Sequence, residues 1–268
     1  MMRKETCLDV YENPFYYDVA FSFRDVAREV DFFEECIKKF SKIKVKKVLD
    51  IGCGPSPYML ELVKRGYFFA GLDISKPMLN YSLEKAKRAG VEIEVIHADM
   101  RNFKVKGSFD FAFCMLGSLT VETNKEFLSH LDSVAECLKK GGLYLLDGGI
   151  QFDWTRLGGE SWTVIKDELV INVTWSVAPL NYAEQRTVER ITLEVIEEGK
   201  TKVLKTEKVG KLIFPQEFLE LLNRNGKFEF VGWFNNFDLE QPLEKAEKFN
   251  RPTTLLRRKQ ETNKRCLL

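Results

Sequence analysis

Between Val48 and Asp147 five short apolar runs alternate with amphipathic stretches of helical period: VLDI at 48–51, YFFAGLDI at 67–74, VEIEVI at 91–96, FDFAFCML at 109–116 and LYLLD at 143–147. Parallel strands need a crossover between each pair and are covered on both faces, so they read as near-continuous apolar runs separated by helices. The pattern therefore predicts an α/β fold built on a mostly parallel sheet with helices on both faces. Helices are expected at 58–64, at 77–88 with Pro77 at the start, and at 125–140 ending in Gly141-Gly142. Upstream, the stretch from Arg24 to Phe40 places Val26, Val30, Phe33, Ile37 and Phe40 on one stripe, a helix that packs on the sheet.

Near residue 149 the period changes. From about 160 to 214 apolar and polar residues alternate, as in ITLEVIEE at 191–198 and KVLKTEKVGKLIF at 202–214, with Gly199 at a turn between them. That is the signature of an antiparallel meander. A short helix at 215–223 and strands at 228–234 and 253–259 then return the chain to the first sheet. The expected organisation is an N-terminal helical cap at 1–43, a core at 44–149 and 211–260, an antiparallel β insertion at 150–210 after the fifth strand, and a basic tail at 261–268.

Charge limits the partners. The 41 Lys and Arg nearly cancel 40 Asp and Glu, leaving +1 and no global field to draw in nucleic acid or an anionic membrane. Local basic clusters remain at Lys42, Lys44, Lys46 and Lys47 and from Arg257 through Lys259 to Arg265. The cysteines, Cys7, Cys36, Cys53, Cys114, Cys137 and Cys266, form no CxxC pair and do not cluster with His97 or His130, so neither a metal site nor a disulfide framework is expected. With no apolar leader and no window long enough to span a bilayer, the expected location is cytoplasmic. Abundant Lys and Glu with few Gln and His point toward a heat-adapted source.

The segment richest in chemistry is Val48-Leu49-Asp50-Ile51-Gly52-Cys53-Gly54-Pro55-Ser56, a buried strand that breaks into glycines before a helix. Such a turn lets backbone N–H groups face a polar ligand at the crevice beyond the carboxyl ends of the strands. Asp50 stands two residues before the first glycine. A carboxylate there would repel a pyrophosphate, and the third position of a GxGxxG pattern is Pro57, so a dinucleotide is disfavoured and a ligand with a cationic amine is favoured. Asp73 ends the second run at the distance that places a carboxylate over a ribose diol, and Asp99 follows the third, where it could accept from an exocyclic adenine amine.

Taken together, VLDIGCG, GLDIS, HADMRNF, FDFAFCMLGSL and GGLYLLD resemble the successive motifs of the class I S-adenosylmethionine-dependent methyltransferases. The resemblance implies a Rossmann-like seven-stranded sheet with a reversed last strand. It also implies S-adenosylmethionine bound across the strand ends: Gly52, Cys53 and Gly54 at the methionine part, Asp50 at its amine, and Asp73 at the ribose. Ile74 would meet the adenine face, Asp99 with Met100 its edge, and Cys114 with Met115 the sulfonium. One departure is Ser56, where the family often has a third glycine.

Methyl transfer is an in-line displacement, so the main task is to hold a nucleophile close to the methyl carbon. Acceptor groups are expected from segments that reach over the strand ends. Tyr16, Tyr17, Phe23 and Arg24 could form an aromatic, positively charged lid, and Ser118, Trp154, Asn181, Tyr182, Asn235 and Asn236 lie in loops. Tyr17, Ser118 and Asn235 are the catalytic candidates; His97 reads as a turn residue and His130 as structural. Met115-Leu116-Gly117-Ser118 lacks the Asp/Asn/Ser-Pro-Pro-aromatic tetrapeptide of base-amine methyltransferases. The favoured expectation is methylation of an N or O nucleophile on a small molecule. An RNA base amine, for example cytidine N4 of ribosomal RNA, is the alternative, with a non-catalytic cofactor-binding subunit behind it; DNA and membrane partners are not expected.

Overall fold

The computed structural model describes residues 8–105, 108–153, 157–248 and 250–260. Its strands are β1 (Lys47–Ile51), β2 (Phe68–Asp73), β3 (Glu94–His97), β4 (Phe109–Cys114), β5 (Leu138–Asp147), β6 (Gly158–Lys166), β7 (Leu169–Asn181), β8 (Arg186–Glu197), β9 (Lys200–Lys211), β10 (Phe228–Asn235), β11 (Asp238–Pro242) and β12 (Pro252–Arg258). Among the described residues six α-helices accompany them: α1 (Pro14–Ala20), α2 (Val26–Phe40), α3 (Met59–Lys64), α4 (Lys76–Ala89), α5 (Asn124–Cys137) and α6 (Pro215–Asn225).

The main sheet runs β11-β10-β12-β5-β4-β1-β2-β3, with β1 to β5 mutually parallel and β12 antiparallel to both β5 and β10. The reversed last strand is therefore β12. The sheet has eight strands where seven were expected. The extra one, β11, is a short edge strand of sequence DLEQP, too polar for a periodicity signal and ending in the proline that an edge tolerates.

Period-two alternation along β1 and β4 divides the core. Leu49, Ile51, Ala112 and Cys114 face α5 and α6, while Val48, Phe111, Phe113 and Met115 face α2 and α3. Helix α2 begins at Val26 rather than Arg24 because Asp25 caps it, its side chain accepting from Arg28 N at 3.1 Å. Helix α5 stops at Cys137, earlier than its pattern suggested. Leu138 already pairs with Phe109, and Gly142 lies so close to β4 that a Cβ there would come within 2.5 Å of the Asp110 carbonyl. Gly142 thus serves a close approach of strands, not a helix cap.

The insertion forms a separate four-stranded antiparallel sheet, β6-β7-β8-β9. The β8–β9 turn has Glu198 and Gly199 at φ 49° and 69°, the mirror-image turn that suits a twisted hairpin. Its inner face, including Ile171, Leu193, Val195 and Leu204, packs on Val10, Val19 and Ala20 of the N-terminal segment. The insertion and the N-terminal segment thus form one unit over the carboxyl ends of the main strands. Among the described residues no helix is long and apolar enough to cross a membrane.

Candidate active site

The β1–α3 turn organises the site. Gly52 and Gly54 take positive φ, and so does Ser56 at 50°, the conformation a third glycine would favour. Gly52 N and Cys53 N donate to Leu72 O at 2.7 and 3.0 Å, tying the turn to β2. The Asp73 carboxylate accepts from Gly54 N and from Ser75 N, each at 2.8 Å, so it braces two loops and keeps lone pairs for a ligand. A Cβ on Gly52 would lie 2.7 Å from Met100 Cε and 3.1 Å from Ser118 Cβ; the loops after β1, β3 and β4 meet at this point.

Two hollows open here. The larger, ≈ 660 Å³, is walled by Asp73, Ile74, Asp99 and Met100 on the main sheet and by Tyr11, Thr120 and Lys208 on the side of the insertion. The smaller, ≈ 40 Å³, is a chamber between Asp50, Arg24, Tyr58, Met115 and Leu116. Gly52, Gly54, Tyr17 and Ser118 border both.

Asp50 is 2% exposed and its Oδ2 has no hydrogen-bond partner. Burial pushes its carboxyl well above the usual range, Arg24 pulls it back and Asp73 pushes it further up. Across the chamber Arg24 donates to Glu29 Oε2 at 2.6 Å, with its guanidinium 4.7 Å from the centre of the Tyr58 ring. Glu29 also accepts from the Tyr58 hydroxyl and from Arg251, whose other nitrogen donates to Asp147. Asp147 in turn accepts Leu116 N on Oδ2 and Gly117 N on its carbonyl, each at 2.9 Å.

Other expected ligand residues divide. Cys53 and Met115 line the chamber, whereas Ile74, 61% exposed, and Met100 line the larger cavity. Asp99 lines that cavity too, but its carboxylate grips Arg101 (Nη2 at 2.6 Å), which holds it below the usual carboxylate range. Cys114 does not reach the chamber: strand alternation turns it into the core on the α5 and α6 side, one position before Met115.

Of the catalytic candidates, Tyr17 and Ser118 lie at the junction of the hollows. Asn235 does not; it is buried in a loop clasp, donating to Lys248 O and accepting from Asn250 N at 3.0 Å each. Asn181 accepts from Glu184 N at a turn, Asn236 N donates to Arg251 O, and Tyr182 is solvent-exposed. Trp154 and the tail at 261–268 lie outside the described residues. His97 borders the cavity and donates through Nε2 to Ile74 O at 2.9 Å.

His130 is fully buried in α5. The Met100 carbonyl, 2.7 Å from Nδ1, requires the proton on that nitrogen, and Nε2 accepts from the Tyr144 hydroxyl at 2.6 Å. Burial pushes its pKa down to about 4, so it stays neutral.

The described residues of the basic clusters fall at the opposite end of the strands. Lys46 N and Lys47 N bond Asp110 where β1 and β4 begin, and Arg257, paired with Glu229, ends antiparallel β12 at the same end. Sequence reasoning missed Glu29, Arg251 and Lys208. Asp147 had a signal, an acid ending an apolar run as Asp50 and Asp73 nearly do; the others are charged residues in helix or strand patterns that read as solvent-facing.

Residues 48–142 match a family model described as a methyltransferase domain. A Geobacillus sp. protein named "Putative methyltransferase GWCH70_2453" is 28% identical over 56% of this chain and 61% of its own length. The chain spans about half the length of the curated relatives it matches. In fold it is similar to an S-adenosylmethionine-dependent methyltransferase of Clostridium acetobutylicum (TM-score 0.75, 18% identity, 92% of this chain and 97% of the other). It is also similar to the sugar N-methyltransferase KedS8 of Streptoalloteichus (TM-score 0.73, 16% identity, 97% of each chain).

Proposed function

We propose that the chain is an S-adenosylmethionine-dependent methyltransferase acting on a small amine held beneath the insertion, a reading supported by the methyltransferase-domain match at residues 48–142 and by the likeness in fold to such an enzyme. The observation that carries this is that Arg24 and Asp50, whose Oδ2 has no partner, line the same small chamber. A buried carboxylate oxygen without a donor is costly unless a ligand supplies one. An α-amino acid end supplies an ammonium for Asp50 and a carboxylate for Arg24, while the adjoining cavity offers Asp73 to a diol and Ile74 to an adenine face.

When bound, S-adenosylmethionine supplies a methyl on a positively charged sulfur, which departs as a neutral thioether as the acceptor's N–C bond forms and the nitrogen's proton passes to water. The chain's own work is positioning and exclusion of water. Burial raises the phenols of Tyr11 and Tyr17, so both stay protonated and neither serves as a strong base. His130 is committed to Met100 and Tyr144. With no strong base at the junction among the described residues, a nucleophile that brings its own lone pair suits the site, and a neutral amine is such a group. The KedS8 likeness agrees with a small acceptor, and the placement of Lys46, Lys47 and Arg257 at the far end of the strands from the cavity favours it over RNA.

Calorimetric titration of the full chain tests this. S-adenosylmethionine should bind saturably, NAD should not, and Asp73→Ala should weaken binding at least tenfold; binding of NAD with no response to S-adenosylmethionine would overturn the reading.

A further inference from the structure

The insertion sends one cation into the larger cavity, Lys208 on β9. Two other lysines of the strand are ion-paired, Lys202 with Glu197 at 3.3 Å and Lys211 with Glu217 at 2.9 Å. The residue opposite Lys208 in register is Glu189, whose carboxylate turns to the Trp175 indole, accepting from it at 2.8 Å, and makes no ion pair with Lys208. Lys208 forms no ion pair among the described residues; its Nζ lies 4.6 Å from the centre of the Tyr11 ring. An aromatic face holds an ammonium in place without cancelling its charge, so the field is left for a third party.

The cavity's shape sets where that charge acts. Lys208 shares the wall of the larger cavity with Tyr17 and Ser118, the residues that also border the chamber. The cavity's other cations have different stations. Arg101 is taken by Asp99 at 2.6 Å, and Lys76 opens α4 beside Ile74 and Ser75, on the side where Asp73 would hold a ribose. Lys208 alone stands with Thr120 and Val209, where the insertion meets the loop after β4.

We propose that Lys208 is the anion-recognising residue of the acceptor site, and that the acceptor is a small amine bearing a phosphate or carboxylate group. This rests on the methyltransferase reading and adds the acceptor's class. The same charge also disfavours protonation of an amine beside it, which keeps the nucleophilic lone pair free.

The test uses the full chain saturated with S-adenosylhomocysteine, titrated with inorganic pyrophosphate and, separately, acetate. At least one anion should bind the native chain saturably, and which one binds better distinguishes phosphate from carboxylate. Lys208→Gln should weaken it at least tenfold, Lys208→Arg should retain most of it, and both should bind S-adenosylhomocysteine as the native chain does. Equal anion affinity in Lys208→Gln, or no saturable anion binding by the native chain, would overturn the proposal while leaving the methyltransferase reading intact. Failure to bind S-adenosylhomocysteine at all would sink that underlying reading instead. As a second readout, label transferred from methyl-labelled cofactor into a metabolite extract should be retained on an anion-exchange resin; label passing through would refute an anionic acceptor.

Discussion

Arg251 Nη1 donates to Glu29 Oε1 at 2.6 Å, joining the start of β12 to helix α2. Its other nitrogen holds Asp147, and Asp147 holds Leu116, whose φ of 54° is unfavourable for a branched side chain. One guanidinium thus couples the lid-bearing helix to the loop that borders the chamber. Arg251→Met leaves a nearly buried Asp147 with a single backbone donor, and removing one member of such a pair costs about 3 kcal/mol. Urea denaturation should show that loss. The KM for S-adenosylmethionine should also rise more than kcat falls, because the loop that relaxes contributes to binding.

His130 makes acid stability a second check. Its pKa is pushed from 6.5 to about 4 by burial, so the unfolded chain takes up a proton in this interval that the folded chain refuses. Stability contributed by the neutral ring is complete above about pH 6.5 and declines as pH falls toward 4. The total is on the order of 3 kcal/mol, from 1.36 kcal/mol per unit. Denaturation midpoints measured between pH 7 and 4 should show this slope, and His130→Gln should flatten it; an unchanged slope in that variant would place the titration elsewhere.

Much of this architecture was legible because burial imposes period. The runs at 48–51 and 67–74 became β1 and β2, and alternation at 191–214 became the β8–β9 hairpin with Gly199 at its turn. Where burial is partial the signal fades: β11 is polar, and α1 is a seven-residue helix. Cys114 was misplaced because a resemblance assigns neighbouring residues together, whereas a strand sends Cys114 and Met115 to opposite faces. Asn235 looked like a free loop amide until its partners 13 and 15 residues away were visible. Long-range partners leave no local trace, which is also why the Glu29–Arg251–Asp147 chain went unread.

Gly52 separates cofactor binding from folding. Alanine there must hold a φ of 71° and pushes on Met100 Cε, a flexible tip that can yield only by moving within the cavity wall. The backbone cost is about 1 to 2 kcal/mol. Gly52→Ala should therefore lower the thermal midpoint modestly while S-adenosylhomocysteine affinity falls more than tenfold. Calorimetry and melting on the same sample compare the two losses.

Asp50 supplies the sharpest test, because its charge should change on binding. Without a ligand its carboxyl is held well above the usual range by burial, and an arriving ammonium favours the ionised form. Binding of S-adenosylmethionine should release a proton. The affinity should then rise with pH up to the point at which Asp50 is ionised in the free protein, and binding heats should vary with the ionisation enthalpy of the buffer. Asp50→Asn removes the titrating group together with the counter-charge. It should weaken binding roughly 10- to 100-fold, the worth of a hydrogen bond to a charged group, abolish the buffer dependence, and leave the empty protein as stable as before or more so, since no buried charge remains. Heats that ignore the buffer in the native chain would show that Asp50 does not meet the amine.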